Sequence, residues 1–286
     1  MRLTTRILIG SFLSSVLVLS SANAAVILVS EEVLRDYKLL VGNLAPTSVR
    51  DFRGQGSSRQ VAEVILLLQA LDAGGYRREI RLRTSPSNAQ TLRTLVAGEA
   101  HLSGTTRWKQ ELQKFEPRIN PSFALLRAGE FQMGLFGCRG QLKLGVPTLN
   151  ELSIVADRSR SVEWSALKQG HFKAVDSSDS ELTRVRMVCL GRVDATVAEF
   201  PAASELSIHR GGFTLEAYPE IKLTFEHTRH YPISKVADRS QAVTMALNRG
   251  LRVIRRKGLV TRAMLHSGFH HPKTKGWQEV ELHPNK

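Results

Sequence analysis

The chain has 286 residues, 42% of them hydrophobic and 23% charged, with 40 Lys+Arg against 26 Asp+Glu for a net charge of +14. These values belong to a globular chain and exclude an intrinsically disordered one, and the length suits about two domains. The positive balance admits an anionic ligand, an anionic surface or nucleic acid. The basic residues are dispersed, however, and the densest run, Arg252, Arg255, Arg256 and Lys257, reads as the solvated face of a helix.

At the amino terminus Arg2 and Arg6 precede an apolar run of 13 residues, Ile7–Leu19, interrupted only by small ones. Ser20, Ser21 and then Ala22-Asn23-Ala24 follow, an A-x-A exit of the kind that signal peptidase cuts. Order and lengths predict a secretory signal peptide cleaved after Ala24, leaving 262 residues with a charge of +12. A helix that spans a bilayer needs roughly 20 apolar residues, so the run is too short for an uncleaved anchor, and no later stretch reaches that length. No Cys follows the cut, which argues against a lipid anchor. Export sets nucleic acid aside as a partner.

Past the cut, Val26–Val29 reads as a first strand and Arg50–Ser58 as a polar, basic loop. Arg59–Leu71 (RQVAEVILLLQAL) has helical length and strong helix formers, and Gly74-Gly75 stops it. Glu79–Arg83 alternates polar and apolar side chains, as a half-buried strand does. After a turn at Thr84–Asn88, Ala89–Glu99 puts Leu92, Leu95 and Val96 on one helical face. Residues 110–122 break the alternation with two prolines and several charges; Phe123–Leu126 is apolar, and Arg127–Gly140 carries four glycines.

A second round follows: strand Leu152–Ala156, helix Ser161–Gln169, strand Phe172–Val175, helix Ser180–Leu190, strand Val193–Val197. Phe213–Ala217 and Ile221–Phe225 are strand-like, Tyr231–Lys235 is extended around its proline, and Ser240–Lys257 and Leu259–His266 are helical. No repeat recurs at a fixed period. Alternating strands and helices define an α/β chain: two units of roughly 100 residues, joined by Gly-rich extended segments, with helices closing the chain. Ligands of open α/β sheets sit beyond the carboxyl ends of the strands, so two such units face each other across a cleft. The two cysteines, Cys138 and Cys189, form a disulfide candidate in an oxidising compartment; the alternative is two buried thiols.

Three segments resemble the bacterial extracellular solute-binding proteins of family 3, of the type 2 periplasmic binding protein superfamily. Leu95-x-x-Gly98-x-x-His101, followed by Thr105-Thr106-Arg107, is similar to the family's helix end and the Thr and Arg that hold a ligand carboxylate. Met187–Ala195 (MVCLGRVDA) resembles a helix-to-strand step of the second lobe. Tyr231–Lys235 with Ala246-Leu247-Asn248 and Gly258 resembles the return into the first. Through Gly134–Arg139 and Gly191–Ala195 the chain is similar to uncharacterised exported members of the superfamily. The departures are His101 where the family has Asp, Arg107 directly after Thr106, and Lys114–Arg118 in place of an aromatic segment.

The resemblance implies a two-lobed fold, each lobe a mixed sheet flanked by helices, joined by two crossover hinge strands. Lobe 1 would be residues 25–126 plus 222–286, and lobe 2 residues 127–221. It also implies a monomer that serves an inner-membrane transporter, such as an ABC transporter for amino acids, or a sensor. Cytoplasmic regulators with similar effector lobes carry a DNA-binding helix-turn-helix where this chain has Arg2–Ala24.

Arg107 is the leading candidate to bind a ligand carboxylate, because the planar guanidinium can hold it bidentately. Arg139, after the Gly-rich crossover, is a second. Ser85, Thr105 and Thr106 lie at predicted strand ends and offer hydroxyls. Ser159 and Ser161 precede a helix whose free N–H groups suit an anion, although serines there ordinarily act as N-caps. Glu199, at the end of a predicted strand, could face the cleft and receive an ammonium; the alternative is a surface or capping role. His266 and His270 have i, i+4 spacing, but Gly268 between them ends the helix that a metal site would need. No metal and no cofactor is expected, and no nucleophile, zincin, P-loop or dinucleotide motif stands in its required context.

Three functions follow. The first is a periplasmic solute-binding protein that closes on a small polar, anionic or zwitterionic ligand. The second is an exported interaction or sensory protein that keeps the fold and has lost the pocket. The third is an enzyme on this fold, a dehydratase of small carboxylates, with His101 or Glu199 as general acid or base.

Overall fold

The computed structural model describes residues 24–142 and 147–283. The predicted signal segment up to Asn23 lies outside them.

The chain opens with β1 (Ala25–Val29) and α1 (Glu31–Val41), followed by α2 (Arg59–Ala73), β2 (Ile80–Thr84) and α3 (Asn88–Ala97). Each of these helices is started by a serine, Ser30, Ser58 or Ser87, whose hydroxyl accepts from the N–H three residues on. That bond occupies one of the donors a helix leaves free at its amino end. Two short strands, β3 (Leu102–Ser103) and β4 (Arg107–Trp108), flank the turn at Thr105-Thr106; α4 (Lys109–Gln113) and β5 (Ile119–Pro121) follow.

The middle of the chain holds β6 (Phe131–Cys138), β7 (Ser153–Ala156), α5 (Ser161–Gln169), β8 (Ala174–Ser177), α6 (Glu181–Cys189) and β9 (Ala195–Ala198). A hairpin, β10 (Ser207–Arg210) and β11 (Phe213–Ala217), leads to β12 (Ile221–Phe225). The chain ends with β13 (Arg229–His230), β14 (Pro232–Ser234), α7 (Ser240–Arg256), α8 (Leu259–His266) and β15 (Gln278–Leu282).

Two mixed sheets result, with a two-stranded antiparallel ribbon of β4 and β13 beside them. The first has the order β2-β1-β3-β14-β5, parallel around β1, with β14 antiparallel to both its neighbours. The second runs β10-β11-β6-β9-β7-β8, with β12 beside β6 and β15 beside β12. β6 and β12 pair antiparallel through Phe131–Met133 and Leu223–Phe225, so the two segments that connect the sheets run side by side. The rest of β6 pairs with β9 and β11, which ties this crossover into the second sheet.

The Gly-rich stretch expected as an extended link is therefore a full strand. Gly134 and Gly137 stand where the rings of Phe200 and Tyr218 press on the strand, and a Cβ there would meet them. Phe123–Leu126 forms no strand; Leu126 makes a single bridge to Arg229. The α1 helix, unforeseen in the sequence, starts with Glu31 and Glu32 against its positive end.

α2 is apolar nearly all round, the mark of a helix buried on every face. Its closest partner is α7, brought near by two missing side chains: a Cβ on Gly250 would be driven into the Ala70 carbonyl, and one on Gly74 into that of Ala246. The basic run on α7 is not wholly solvated, since Arg255 turns inward to bond Glu130 at 2.9 and 3.0 Å. Beneath the crossover lies an aromatic cluster in which the Phe131 ring packs 4.9 Å from Trp108, 5.7 Å from Phe225 and 5.2 Å from Phe269.

Cys138 ends β6, Cys189 ends α6, and the two are joined as a disulfide with 5.0 Å between Cα atoms. Closing a loop of 51 residues stabilises the fold by about 4 kcal/mol on the chain-entropy account. Among the described residues no helix is long and apolar enough to cross a membrane.

Candidate functional site

Between the two sheets runs a cleft floored by charged side chains that pair with one another. α2 begins with Arg59 and, one turn on, Glu63, both buried. The Arg59 guanidinium bonds Glu63 on its own helix and reaches across the cleft to Glu199, at the end of β9, through two bonds of 2.8 Å. Such a fork onto a carboxylate fixes orientation as well as distance.

Glu63 is held from behind: Thr106 donates its backbone N–H (2.8 Å) and hydroxyl (2.7 Å) to the carboxylate. Arg229, on β13, donates to the Thr106 hydroxyl at 3.1 Å and carbonyl at 2.7 Å, and lies over the rings of Trp108 and Phe131. From the second sheet, Arg160 bonds Glu163 at 2.8 and 3.1 Å and stands 3.6 Å from Glu199. Glu163 in turn lies 3.8 Å from Arg229. Three arginines, Arg59, Arg160 and Arg229, thus interlock with three carboxylates, Glu63, Glu163 and Glu199.

The charges follow from this pairing. Burial would raise the Glu199 carboxyl, but Arg59, with help from Arg160 and Arg229, brings it down to about 2. Burial likewise works against the Arg59 cation, and the two carboxylates outweigh it and push its pKa up. Arg229 falls to about 10 because burial and the neighbouring Arg59 outweigh Glu63 and Glu163. A desolvated charge is tolerable only when paired, and this network is paired.

Arg59, Arg160 and Glu199 line the cavities on both sides of them, so they partition the cleft into two chambers. One, of about 540 Å³, has apolar walls from Val185, Phe200, Ile208 and Phe269 and a rim of Glu181, Arg184 and Arg210. The other, of about 710 Å³, is lined by Arg107, Trp108, Glu111, Lys114, Asp157, Ser159 and Glu163 beside the partition.

In the larger chamber several groups are left over. Among the described residues Arg107 makes no side-chain hydrogen bond and no ion pair, and burial lowers its pKa. The indole Nε1 of Trp108, a donor, and Oε2 of Glu163, an acceptor, are buried without partners. Glu111 is pushed up by burial and then by Glu163. The chamber is thus bordered by side chains of both signs, Arg107 and Lys114 against Glu111, Asp157 and Glu163, which suits a polar molecule.

The sequence candidates fall into three groups. Arg107, Ser159 and Glu199 line the larger chamber, although Glu199 is already bound by Arg59, and the Ser159 N–H is engaged by Asp157 at 2.9 Å. Thr106 is buried behind the partition and serves Glu63. Ser85, Thr105, Arg139 and Ser161 line neither chamber. Ser85 is buried, accepting from Thr91 at 2.9 Å, and the Thr105 N–H turns back to Ser103. Arg139, just past the end of β6, is exposed and bonds Glu216 on β11 at 2.6 Å instead of lining the cleft. Ser161 is exposed, and neither serine caps α5: Arg160 holds the N-cap position without a side-chain bond.

His101 sits outside both chambers, its ring engaged by Val26 N–H at 3.1 Å and Asp238 carbonyl at 2.9 Å, so it cannot act there as a general base. His266 and His270 are separately occupied, by Asp51 and by the Glu130 carbonyl, and among the described residues no cluster of metal-ligating side chains occurs. Sequence reasoning missed Arg59, Glu63, Trp108, Glu111, Arg160, Glu163 and Arg229. One signal was present: an Arg and a Glu four residues apart in a helix otherwise apolar all round must be buried, and buried charges need partners.

No protein-family model matches the chain, and neither does any curated protein. Solved structures do match. The periplasmic VFT2 domain of BvgS from Bordetella pertussis is 16% identical, over 83% of this chain and 92% of that one, with a TM-score of 0.51. The second substrate-binding domain of a putative amino acid ABC transporter from Streptococcus pneumoniae is 14% identical over 84% and 97%, with a TM-score of 0.51. A Bacillus subtilis protein is 13% identical over 92% and 97%, with a TM-score of 0.52. With the topology above, these likenesses define the fold: the chain is a two-lobed α/β protein of the type 2 periplasmic-binding-protein architecture.

Proposed function

We propose that the protein is an exported solute-binding protein whose larger chamber takes a small zwitterionic or anionic solute, amino-acid-like in its charge pattern. The observation that carries this reading is Arg107: a partly buried guanidinium that lines a cavity of about 710 Å³ and makes no side-chain hydrogen bond or ion pair among the described residues. A ligand carboxylate would satisfy it, with the Trp108 indole as a further donor, while Glu163 and Glu111 would receive an ammonium. Ser159 is positioned to add a hydroxyl. The role is binding rather than catalysis, for a transporter or a sensor at the inner membrane. The signal peptide ending at Ala24 supplies the route to the periplasm. The lobes follow the crossover, residues 25–126 plus 222–286 and 127–221, and the protein works as a monomer.

A thermal-shift screen over amino acids and organic anions tests the proposal, because a ligand that binds only the folded state raises its melting temperature. A wild-type protein that responds to no such solute would sink it. The Arg59–Glu199 bridge favours a second reading, an interaction or sensory protein held shut by its own side chains. In that case removal of the bridge would not uncover binding of any small solute.

A further inference from the structure

A third cavity, of about 410 Å³, lies on the face of the first lobe away from the cleft, where the carboxyl ends of α2 and α7 meet α8 and the loop before α2. Gln69 forms part of its wall and is 4% exposed. Its amide orientation is fixed: the NH₂ group donates to both the Pro46 carbonyl (2.9 Å) and the Val49 carbonyl (2.8 Å), and flipping it would set oxygen against oxygen. The amide oxygen is left as a buried acceptor with no donor. Buried acceptors of this kind are rare enough to require an explanation.

The rim supplies a second requirement. Arg50, Lys257 and Arg262 line the cavity. Among the described residues none of the three forms an ion pair, and Asp72, the acid of the lining, is engaged by Arg77 at 2.8 Å. α7 and α8 contain no acidic residue, so nothing on these helices neutralises that rim. Arg50 already donates to the Thr47 and Val49 carbonyls, which holds its guanidinium in place at the rim, and an anion that also carries a hydroxyl answers both features.

We infer that this cavity is a second binding site, for a phosphate ester bearing a free hydroxyl. Its phosphate is held by Arg50, Lys257 and Arg262, and its hydroxyl donates to the amide oxygen of Gln69. A glycerol phosphate unit has this chemistry whether it is free in solution or is the headgroup of an anionic phospholipid.

The test uses the mature protein with three probes: sn-glycerol 3-phosphate, inorganic phosphate, and vesicles of phosphatidylglycerol set against phosphatidylcholine. Calorimetry should show glycerol phosphate binding more tightly than inorganic phosphate. K257A/R262A, two substitutions at exposed positions, should weaken glycerol phosphate by about tenfold or more. Q69M should erase the preference for the ester while leaving the affinity for inorganic phosphate in place. R107A should change none of these values, which separates this site from the interlobe cleft. Sedimentation with phosphatidylglycerol vesicles, lost in K257A/R262A, would make the lipid headgroup the source; binding of the free ester without sedimentation would make it a soluble molecule. Equal affinity for ester and inorganic phosphate, or binding unchanged in K257A/R262A, would overturn the inference.

Discussion

Arg59 and Glu199 join the two sheets through a pair of hydrogen bonds of equal length, 2.8 Å each, from the first turn of α2 to the end of β9. A ligand that bridges two lobes would make the same kind of connection, so this protein carries part of its closing force in its own chain. Truncating one partner tests this. In Glu199→Ala the Arg59 guanidinium keeps Glu63 but loses its interlobe acceptor, and Arg160 loses a neighbouring charge. Removing one member of a buried pair costs roughly 3–5 kcal/mol. With 26% of the Glu199 side chain exposed, the loss should lie somewhat lower, at about 2–4 kcal/mol by urea unfolding.

Arg107 should behave in the opposite way. Its guanidinium is kept in a desolvating site without a hydrogen bond or ion pair, and burial outweighs the attraction of Glu111, Glu63 and Glu163, so its charge is held at a net cost in the folded apo-protein. Arg107→Met should leave stability unchanged or raise it by up to about 1 kcal/mol, while weakening the cleft ligand by about 10- to 100-fold. Paired thermal-melt and titration experiments on wild type and variant check both halves. A variant that is both less stable and equally good at binding would remove Arg107 from the site.

The contrast between these two arginines shows what the sequence conceals. Helices such as α2 and α5 were legible because their periods are local: α2 was expected over Arg59–Leu71 and runs to Ala73, and α5 occupies Ser161–Gln169 as expected, whereas α4 and β5 fall almost wholly in residues 110–122, which showed no pattern. β6 was read as a link because its glycines have no strand propensity of their own; Phe200 and Tyr218, distant in sequence, explain them. Arg107 was found through a motif. Glu163 and Arg229 lie 66 residues apart in sequence and meet only when β13 returns beside β4. Arg139 misled because its neighbourhood is a crossover, yet its side chain is exposed and taken up by Glu216 on the neighbouring strand.

The disulfide between Cys138 and Cys189 pins α6 to the end of the crossover strand. Reducing wild type, or replacing both residues by serine, should lower the unfolding free energy by about 4 kcal/mol, and the two treatments should give the same urea midpoint. A midpoint that reductant does not move would show that the bond adds nothing.

Gly250 sits in mid-helix, where alanine would ordinarily gain close to 1 kcal/mol of helix propensity. Packing reverses the sign. The missing side chain is what lets α7 lie against the backbone of α2 at Ala70, and a Cβ there meets a carbonyl oxygen instead of a side chain that could turn aside. Gly250→Ala should therefore destabilise by about 2–4 kcal/mol in urea unfolding, in spite of the propensity gain.

Acid should release the interlobe bridge over a defined range. Folding lowers the Glu199 carboxyl from an ordinary 4.5 to about 2, so the folded state binds this proton less readily than the unfolded chain. A carboxyl lowered in this way contributes fully above 4.5 and loses its contribution as pH falls toward 2. Glu130, lowered by Arg255 against its own burial, adds a similar dependence of its own, and Glu199→Gln isolates the share of the bridge. Unfolding free energy measured between these limits should fall more steeply for wild type than for Glu199→Gln, by roughly 2–3 kcal/mol across the interval. Parallel slopes would mean that Glu199 is not held as a charged partner of Arg59, and the bridge would then be no obstacle to the opening of the cleft.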